Sequence, residues 1–253
     1  MKVSLITVCR NVAPVITETL DGVLAQTHPD IELIVIDGAS TDGTVEILRD
    51  YASPDRSRRV AVLVSEPDKG IYDAMNKGLR LATGDVIGFV NAGDLLMTPT
   101  VIADVVSAFQ RAHVDAVYGD IIMVDEHDIY KVHRTWLSGT YHRENFRRGW
   151  MPPHVGTFIK KSVYDQHGLF NTDLRIGADY EILLRFMYKH QIKTVHMREV
   201  LVRFRLGGMS NGNVRQFLLA NREVRASWKL NGLQAPPLLV TRKLWSKVMQ
   251  FFH

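Results

Sequence analysis

The sequence is poor in the residues that several kinds of scaffold and site require. Its 253 residues contain one cysteine, Cys9, and nine prolines. A single thiol has no intramolecular partner, which excludes a disulfide scaffold and a zinc site made of cysteines. No run of about 18 apolar residues occurs, and MKVSLITVCRNV reaches polar residues too soon for a secretory signal. We therefore expect a protein of the reducing cytosol without a membrane-spanning helix.

Three glycine-dependent motifs are also missing. The first apolar run is followed by TVCRNVAP, which has no glycine, so the sequence disfavours a dinucleotide-binding Rossmann domain. Neither a GxxxxGK[ST] loop nor a GxSxG elbow is present, which argues against P-loop NTPases and α/β-hydrolases. A nucleotide bound without such a loop needs a metal ion or basic side chains to balance its phosphates.

The basic residues are unevenly distributed along the chain. The formal net charge is +4, but the segment from Leu201 onward carries nine Lys and Arg against one acid, Glu223. That segment has a charge of +8, and the first 200 residues, with 22 Lys and Arg against 26 acids, have −4. A basic end on an acidic body favours contact with a polyanionic surface, either a membrane or a nucleic acid.

Apolar runs rich in Val and Ile alternate with helix-like stretches over the first 90 residues, which is typical of βα units on a parallel sheet. The runs are nearly continuous, which indicates strands buried on both faces. They are VSLITV (3–8), IELIVID (31–37), VAVLVS (60–65) and DVIGFVN (85–91), and helical spacing connects them at 14–26, 44–51 and 71–82. We predict a three-layer α/β/α fold with a mostly parallel central sheet.

The pattern continues in the second half of the chain. It predicts a helix at 100–111, a strand at 116–124, an antiparallel ribbon at 129–137, an apolar strand at 155–161, a helix at 178–190 and a strand at 194–204. Regularity is lost at 142–153, within HRENFRRGWMPPH. Because an apolar strand follows this Arg- and aromatic-bearing stretch directly, we interpret it as an active-site loop rather than a linker.

The basic end holds two predicted helices, so we divide the chain into a body, 1–210, and a C-terminal extension, 211–253. The first helix, 214–231, places Phe217, Leu218, Val224 and Trp228 on one side. The second, within 238–253, has an apolar stripe of Val240, Leu244, Val248 and Phe251 with Trp245 and Phe252 beside it, and Arg242, Lys243 and Lys247 off it. Such a helix either docks on the body or lies on a membrane, and the sequence leaves both open.

Acids at the ends of predicted strands are the first candidates for a site, because ligands of open parallel sheets lie at the carboxyl ends of the strands. Asp37 ends the second strand, and Asn91 and Asp94 follow the fourth. The small residues after Asp37 would let a flat ligand approach the backbone. Asp42, beside Gly43, is better explained as a capping residue.

Several segments in one order carry a resemblance to a family. They are ITVCRN, VIDGASTDGT, SEPDKGIYDAMNKGLRLATGDVIGFVNAGD, HVGTFIKKSVYDQHGLFN and IGADYEILLRF. Together they resemble family-2 inverting glycosyltransferases of the GT-A fold, and among these the bacterial enzymes of colanic-acid and related exopolysaccharide assembly. The similarity covers roughly residues 2–210, and the Gly-rich entrance of the related nucleotidyltransferases is missing.

The resemblance implies a donor site for a nucleotide-diphosphate sugar. The residues it places there are Thr7, Arg10, Asn11, Asp37, Gly38, Asp73, Asn76, Lys77, Asn91, Ala92 and Gly93. Asp37 corresponds to the acid that binds the nucleobase, and Lys77 to a phosphate partner. Asn91 and Gly93 stand where richer forms of the metal motif have acids, so Asp94 alone is expected to bind Mn²⁺ or Mg²⁺, weakly without the donor.

Asp179 resembles the catalytic base of the family, at the start of the helix beneath the acceptor. The alternative is that Asp179 only favours the helix dipole and Glu181 is the base. His154, Trp150 and the pair Arg203 and Arg205 are further candidates for binding acceptor or phosphate; Trp150 and Tyr180 could equally be core, and the two arginines a solvated strand end.

The function implied is inverting transfer of a sugar to a saccharide acceptor, lipid-linked and at the inner face of the bacterial inner membrane, in exopolysaccharide or cell-surface polysaccharide synthesis. We expect a cytoplasmic, peripherally membrane-bound enzyme. Two alternatives stay open: a nucleotidyltransferase, which would release pyrophosphate, and a non-enzymic membrane-surface module. A nucleic-acid partner is not expected, because no recognised binding motif accompanies the basic end.

Overall fold

A mixed nine-stranded sheet organises the part of the chain that the structure describes. The structure is a computed structural model, and it describes residues 1–207, 214–237 and 239. The strands are β1 (Val3–Cys9), β2 (Ile31–Asp37), β3 (Val62–Ser65), β4 (Val86–Phe89), β5 (Leu95–Leu96), β6 (Ala116–Val124), β7 (Val132–Trp136), β8 (Thr157–Lys160) and β9 (Thr194–Arg205).

The strand order is β3-β2-β1-β4-β8-β6-β9-β5, and β7 pairs with β6 outside this path. The first four strands are parallel, with Cys9 opposite Asp37 and Ile6 opposite Phe89. Strand β8 runs antiparallel between β4 and β6, and β9 returns parallel to β6. The carboxyl ends of β1, β2, β3 and β4 therefore meet at one edge, where the site is expected.

Helices cover both faces of the sheet. They are α1 (Ala13–Leu24), α2 (Thr44–Tyr51), α3 (Ile71–Leu81), α4 (Val101–Ala112), α5 (Lys161–His167), α6 (Ala178–Leu183) and α7 (Val214–Leu230). Buried residues of α1, α2 and α4 belong to one core, and those of α3, α5, α6 and α7 to a second core. The cores lie on opposite faces, which confirms the three-layer α/β/α prediction.

Three segments differ from the sequence prediction because packing or backbone geometry determines their structure. The predicted buried strand at 60–65 is β3, which is only half-buried because it forms the sheet edge. The single helix predicted at 178–190 is α6 followed by a π-helical turn, Leu184–Lys189. The stretch predicted to be an active-site loop contains a 3₁₀ turn, Arg143–Arg148, and its Phe146 is completely buried in the core.

The first predicted helix of the basic end forms α7, and it packs on α6. Of the four apolar residues assigned to one side of this helix, Val224 and Trp228 are buried, whereas Phe217 and Leu218 are 43% and 62% exposed. The second predicted helix, within 238–253, lies outside the described residues apart from Leu239. No helix in the described ranges combines the length and the apolar character that crossing a bilayer requires.

Candidate active site

Asp37 ends β2 at the carboxyl edge of the sheet and is completely buried. Its Oδ2 accepts hydrogen bonds from the Ser40 backbone N–H at 3.0 Å and from the Ser65 hydroxyl at 2.7 Å. Its Oδ1 accepts from the Ser40 hydroxyl, and the Cys9 Sγ lies 3.7 Å from it. Asp37 thus binds the surrounding strands and loops, and its predicted contact with a nucleobase would require one of these bonds to give way.

Gly38 lies against two charged residues, Asp68 and Arg10. A Cβ atom at Gly38 would lie 3.0 Å from Oδ2 of Asp68 and 3.4 Å from Cδ of Arg10. The other oxygen of Asp68 accepts from the Lys77 ammonium at 2.6 Å, and that ammonium also pairs with Glu66 at 2.8 Å. Lys77, the predicted phosphate partner, is therefore neutralised by two acids in the absence of donor.

The loops after β1 and β2 bind each other. Asn11 has a φ of 53°, and its Oδ1 accepts from the Thr41 N–H at 2.9 Å. Asp42 accepts from the N–H groups of Ala13 and Thr44, both at 3.1 Å, which agrees with its interpretation as a capping residue. The predicted donor residue Asn11 consequently shapes the loop rather than presenting a free amide oxygen.

Two further predicted donor residues lie on α3 and bind protein groups. Asp73 accepts from the Lys69 N–H at 3.0 Å, near the start of the helix. Asn76 is buried and makes two bonds of 2.9 Å to the backbone of Phe170, one in each direction. Asn76 therefore ties α3 to the segment that precedes α6, and Asp73 stabilises the beginning of α3.

Asp94 is almost completely buried after β4, and one of its oxygens has no partner. Its Oδ1 accepts from the Arg205 N–H at 3.2 Å, whereas Oδ2 is unsatisfied. Burial raises the pKa of this carboxyl to about 8, although hydrogen bonding and charge from Arg205 oppose the shift. The Arg205 guanidinium binds Gly93 O, Glu126 O and the Glu18 carboxylate, so the predicted phosphate-binding Arg205 lies directly beside Asp94.

Three more buried polar atoms without a partner lie near this edge: Thr7 Oγ1 on β1, Asn91 Oδ1 after β4, and His154 Nε2. The His154 ring packs 4.9 Å from the Phe89 ring at the end of β4, measured between centroids. Buried polar atoms in native proteins are normally hydrogen-bonded to protein or water, so each of these atoms is a position where a ligand or a water molecule could supply the missing contact.

The residues present fit a divalent cation only in part. Within the described ranges no group of three or more His, Cys, Asp or Glu side chains has a metal-binding arrangement. The unsatisfied oxygens of Asp94 and Asn91 are hard donors of the type that Mn²⁺ and Mg²⁺ accept. Asp94 could therefore hold a cation whose remaining ligands are diphosphate oxygens and water.

Asp179 and Glu181 lie in the first turn of α6, and their surroundings differ. Asp179 is half-exposed, and the hydrogen bond that its Oδ1 accepts within the described part of the chain comes from the N–H of the next residue, Tyr180, at 2.7 Å. Glu181 is 4% exposed and forms a two-bond pair with Arg185, at 2.9 and 3.0 Å. Asp179 is thus the carboxylate of this turn that remains accessible, whereas Glu181 is paired with Arg185, and the choice of Asp179 as the base stays a prediction.

Aromatic and histidine groups border Asp179. Burial lowers the pKa of His154, and the Asp179 carboxylate opposes this shift, which places the two groups within electrostatic range. The Tyr72 hydroxyl donates to Ile176 O at 2.6 Å, three residues before Asp179. His154, Tyr72 and Asp179 therefore lie in one region, where the acceptor is predicted to bind.

The other aromatic and basic candidates for the site make contacts with protein groups. Trp150 donates to Ser138 O at 2.7 Å and packs with Tyr118, Tyr141 and Phe146. Tyr180 is 1% exposed and belongs to the core. Arg203 donates to Ile129 O at 3.1 Å, and its guanidinium lies over the Tyr130 ring, so its side chain contacts the β6–β7 connection. Residues 208–213, which follow β9, lie outside the described residues.

Sequence reasoning missed three residues of this region: Asp68, Tyr72 and Glu223. Asp68 and Tyr72 lie in EPDKGIYDAMNKG, a segment used only for its Asp73, Asn76 and Lys77. Glu223 has a stronger signal, because it is the single acid among the nine basic residues after Leu201. Its position in three dimensions depends on how α7 docks, which the sequence did not determine.

Comparison with known proteins finds a family model and a relative that are both described as glycosyltransferases. The family model "Glycosyl transferase family 2" matches residues 4–165. A protein of Mycobacterium bovis described as a PGL/p-HBAD biosynthesis glycosyltransferase is 33% identical over 245 residues, which cover 94% of this chain and 89% of the relative.

Two solved structures share the fold. Staphylococcus aureus TarS (residues 1–349) in complex with UDP-GlcNAc aligns with a TM-score of 0.69 at 18% identity, over 96% of this chain and 69% of that one. The mannosyltransferase PcManGT of Pyrobaculum calidifontis, in complex with GDP-Man and Mn²⁺, aligns with a TM-score of 0.66 at 23% identity, over 97% and 68%. In the longer structure of TarS the chain spans 41% of that protein.

Proposed function

Since the chain belongs to glycosyl transferase family 2 and has the GT-A fold, we propose that it transfers a sugar, with inversion, from a nucleotide-diphosphate sugar to a hydroxyl of a saccharide acceptor. The family makes it a glycosyltransferase; the donor class, the inversion and the acceptor are the proposal. The observation that carries the proposal is the contrast within the first turn of α6, where Asp179 is accessible and Glu181 is neutralised by Arg185.

Asp179 acts as the general base in this proposal. It accepts the proton of the acceptor hydroxyl while that oxygen forms a bond to the anomeric carbon. The bond between the anomeric carbon and the diphosphate breaks on the opposite face, and its electron pair leaves with the nucleoside diphosphate.

Asp94 and Asn91 are the residues that would hold Mn²⁺ or Mg²⁺. A bound cation would stabilise the charge that develops on the leaving diphosphate. Burial raises the pKa of the Asp94 carboxyl to about 8. At neutral pH, cation binding must therefore displace its proton. We therefore expect cation affinity to increase with pH and in the presence of the donor's phosphates.

The donor would lie along the carboxyl ends of β1, β2 and β4, over Arg10, Gly38 and Lys77. The Lys77 ammonium would exchange its pairs with Asp68 and Glu66 for phosphate oxygens and would so remain paired with negative charge. Solved relatives of the fold bind UDP-GlcNAc and GDP-Man, and we propose a donor of this general class.

We further propose a lipid-linked acceptor and an enzyme that is peripheral on the cytoplasmic face of the membrane, with residues 1–210 as the catalytic body and 211–253 as a basic extension. The M. bovis relative is described by its part in PGL/p-HBAD biosynthesis, which supports a glycolipid or cell-surface saccharide product. The exposed Arg222, Arg225 and Lys229 of α7 support contact with anionic lipid.

Product analysis tests the proposal. The protein is incubated with Mn²⁺, a panel of nucleotide-diphosphate sugars and a lipid extract, and products are identified by mass spectrometry. We expect a glycosylated lipid or saccharide and one equivalent of nucleoside diphosphate. Release of pyrophosphate would instead support the nucleotidyltransferase alternative, and absence of any turnover across the panel would support the non-enzymic one.

A further inference from the structure

Glu223, the single acid of the basic end, is buried against the segment that leads to Asp179. It lies on α7 and is 6% exposed. Its Oε1 accepts from the N–H of Arg175 at 3.0 Å, and its Oε2 accepts from the N–H groups of Ile176 at 2.9 Å and Gly177 at 2.8 Å. One carboxylate of α7 thus binds three consecutive amides, and the last of them is two residues before Asp179.

The approach of Glu223 depends on Gly177. A Cβ atom there would lie 3.0 Å from the Cβ of Glu223 and 3.3 Å from its Oε2, which is closer than side chains normally pack. On the other side of the segment, the Tyr72 hydroxyl donates to Ile176 O at 2.6 Å. Residues 175–177 are therefore fixed from α7 by Glu223 and from α3 by Tyr72.

Helix α6 needs such external support because it is short. It has six residues and then widens into the π-helical turn. Other residues of α7 also bind α6: Trp228 donates to the Tyr180 hydroxyl at 3.0 Å, and Asn231 donates to Glu181 Oε1 at 2.9 Å. Those two contacts reach side chains, whereas Glu223 binds the backbone that orients Asp179. Its bonds are charge-assisted and hence about twice as strong as neutral ones.

We propose that Glu223 is a positioning residue for the transfer reaction: by binding the amides of Arg175, Ile176 and Gly177 it fixes the place of the Asp179 carboxylate relative to the acceptor hydroxyl. The inference rests on the proposed role of Asp179 as the base. It makes α7, which lies beyond the residues matched by the family model, a required part of the catalytic apparatus.

The test compares Glu223→Gln with Asn231→Ala. Glutamine is nearly isosteric but has one acceptor oxygen, so its NH₂ group faces at least one of the three amides. A shift of about 1 Å in a reacting group costs on the order of 10²-fold in rate. We therefore expect kcat to fall by about that factor in Glu223→Gln, with the donor KM unchanged and with faster hydrogen–deuterium exchange at residues 175–177.

Asn231→Ala is the matched control, because it removes an α6–α7 bond but leaves the three amide bonds intact; we expect its kcat and its exchange at 175–177 to equal those of wild type. Glu223→Asp keeps two carboxylate oxygens on a shorter side chain and should recover part of the lost kcat. If Glu223→Gln does not fold, Glu223→Asp against Asn231→Ala decides the question with the same measurements.

Equal kcat in Glu223→Gln and Asn231→Ala, or unchanged exchange at 175–177, would overturn the inference. A change in donor KM alone would also overturn it, since Glu223 would then act on donor binding. If wild-type protein transfers no sugar from any donor, the proposed function fails instead, and the exchange comparison still decides whether Glu223 holds the three amides.

Discussion

The two carboxylates in the first turn of α6 should respond to substitution in opposite ways. Asp179→Asn is nearly isosteric but cannot accept the acceptor's proton, so turnover should fall by on the order of 10²–10⁴ while calorimetric donor binding and the melting temperature are retained. Glu181→Gln leaves the partly buried Arg185 without its anionic partner, which costs on the order of 3 kcal/mol of stability.

The two variants are controls for each other. Below its melting temperature Glu181→Gln should still turn over, and Asp179→Asn should not. Normal turnover by Asp179→Asn together with loss of turnover in folded Glu181→Gln would show that the base has been assigned to the wrong carboxylate.

Asp94 gives a prediction in which stability and activity change in opposite directions. An unfolded Asp ionises near pH 4, but the folded Asp94 carboxyl keeps its proton to about pH 8. Between these values Asp94 ionises only in the unfolded state, so the free energy of unfolding falls as the pH rises. Asp94→Asn removes this effect. Without metal, its melting temperature should exceed that of wild type by several degrees at pH 8, and the difference should vanish near pH 4.

Transfer in Mn²⁺ should be lost in the same Asp94→Asn protein, and donor with Mn²⁺ should raise the melting temperature of wild type only. Near-normal metal-dependent activity of the folded variant would refute the role of Asp94. A pH-independent difference in melting temperature would refute the buried, protonated state.

The sequence could identify those site residues that stand at a strand end or within a motif. Asp94 and Asp179 could be singled out from FVNAGD and GADYE, and the structure leaves the first with an unsatisfied oxygen and the second accessible. The partners of Asp37 and Lys77 could not be predicted, because Ser65 and Glu66 meet them only after β3 pairs with β2. These donor assignments therefore stay predictions.

At the scale of elements, one acid joins the amino ends of three neighbouring segments. Glu32 of β2 accepts from the Lys2 ammonium at 2.9 Å, the Ser4 hydroxyl at 2.6 Å, and both the N–H and the hydroxyl of Thr83, at 2.9 and 2.7 Å. Burial works to raise the pKa of Glu32, but these donors outweigh it and lower the pKa to about 2.

Glu32→Gln should therefore destabilise the sheet in a pH-dependent manner. The folded pKa is below the unfolded one, so the ionised Glu32 stabilises the protein fully above about pH 4.5 and loses that contribution as pH falls towards 2. We expect a loss of roughly 3 kcal/mol at pH 7 in denaturant titrations, shrinking on acidification. The exposed Glu46→Gln, on α2, is the control, and an equal loss in both variants at pH 7 would contradict the prediction.

The strands and helices were largely predictable, and the exceptions have identifiable causes. Val- and Ile-rich runs predicted β1, β2 and β6 within one residue, because strands buried on both faces need continuous apolar sequence. The two-residue β5 pairs with β9 by a long-range contact that no local pattern encodes. The sequence did not predict the π-helical turn after α6, because its residues have the same apolar spacing as an α-helix.

For the whole molecule, the distribution of charge predicts how it meets a membrane. Helix α7 buries Val224 and Trp228, and its outer face presents Leu218, Arg222, Arg225 and Lys229 at helical spacing. Among the described residues none of these three cations has an acidic partner within ion-pair distance. The sequence places further basic and aromatic residues in 238–253, outside the described part of the chain.

Reversing two charges on that face should release the protein from anionic vesicles. Each basic residue near such a surface contributes about 1 kcal/mol, so Arg222→Glu with Arg225→Glu should lower partitioning by on the order of 10²-fold or more in a flotation assay, and added salt should weaken binding of wild type. The control is Arg49→Glu with Arg111→Glu, on α2 and α4, which makes the same change in net charge on the opposite face of the sheet. Equal loss of vesicle binding by both double variants would mean that net charge alone determines binding.

Deletion of 238–253 tests the part of the basic end beyond α7. Unchanged flotation of this variant would assign membrane attachment to α7, and unchanged flotation in all variants would refute membrane binding by the basic end.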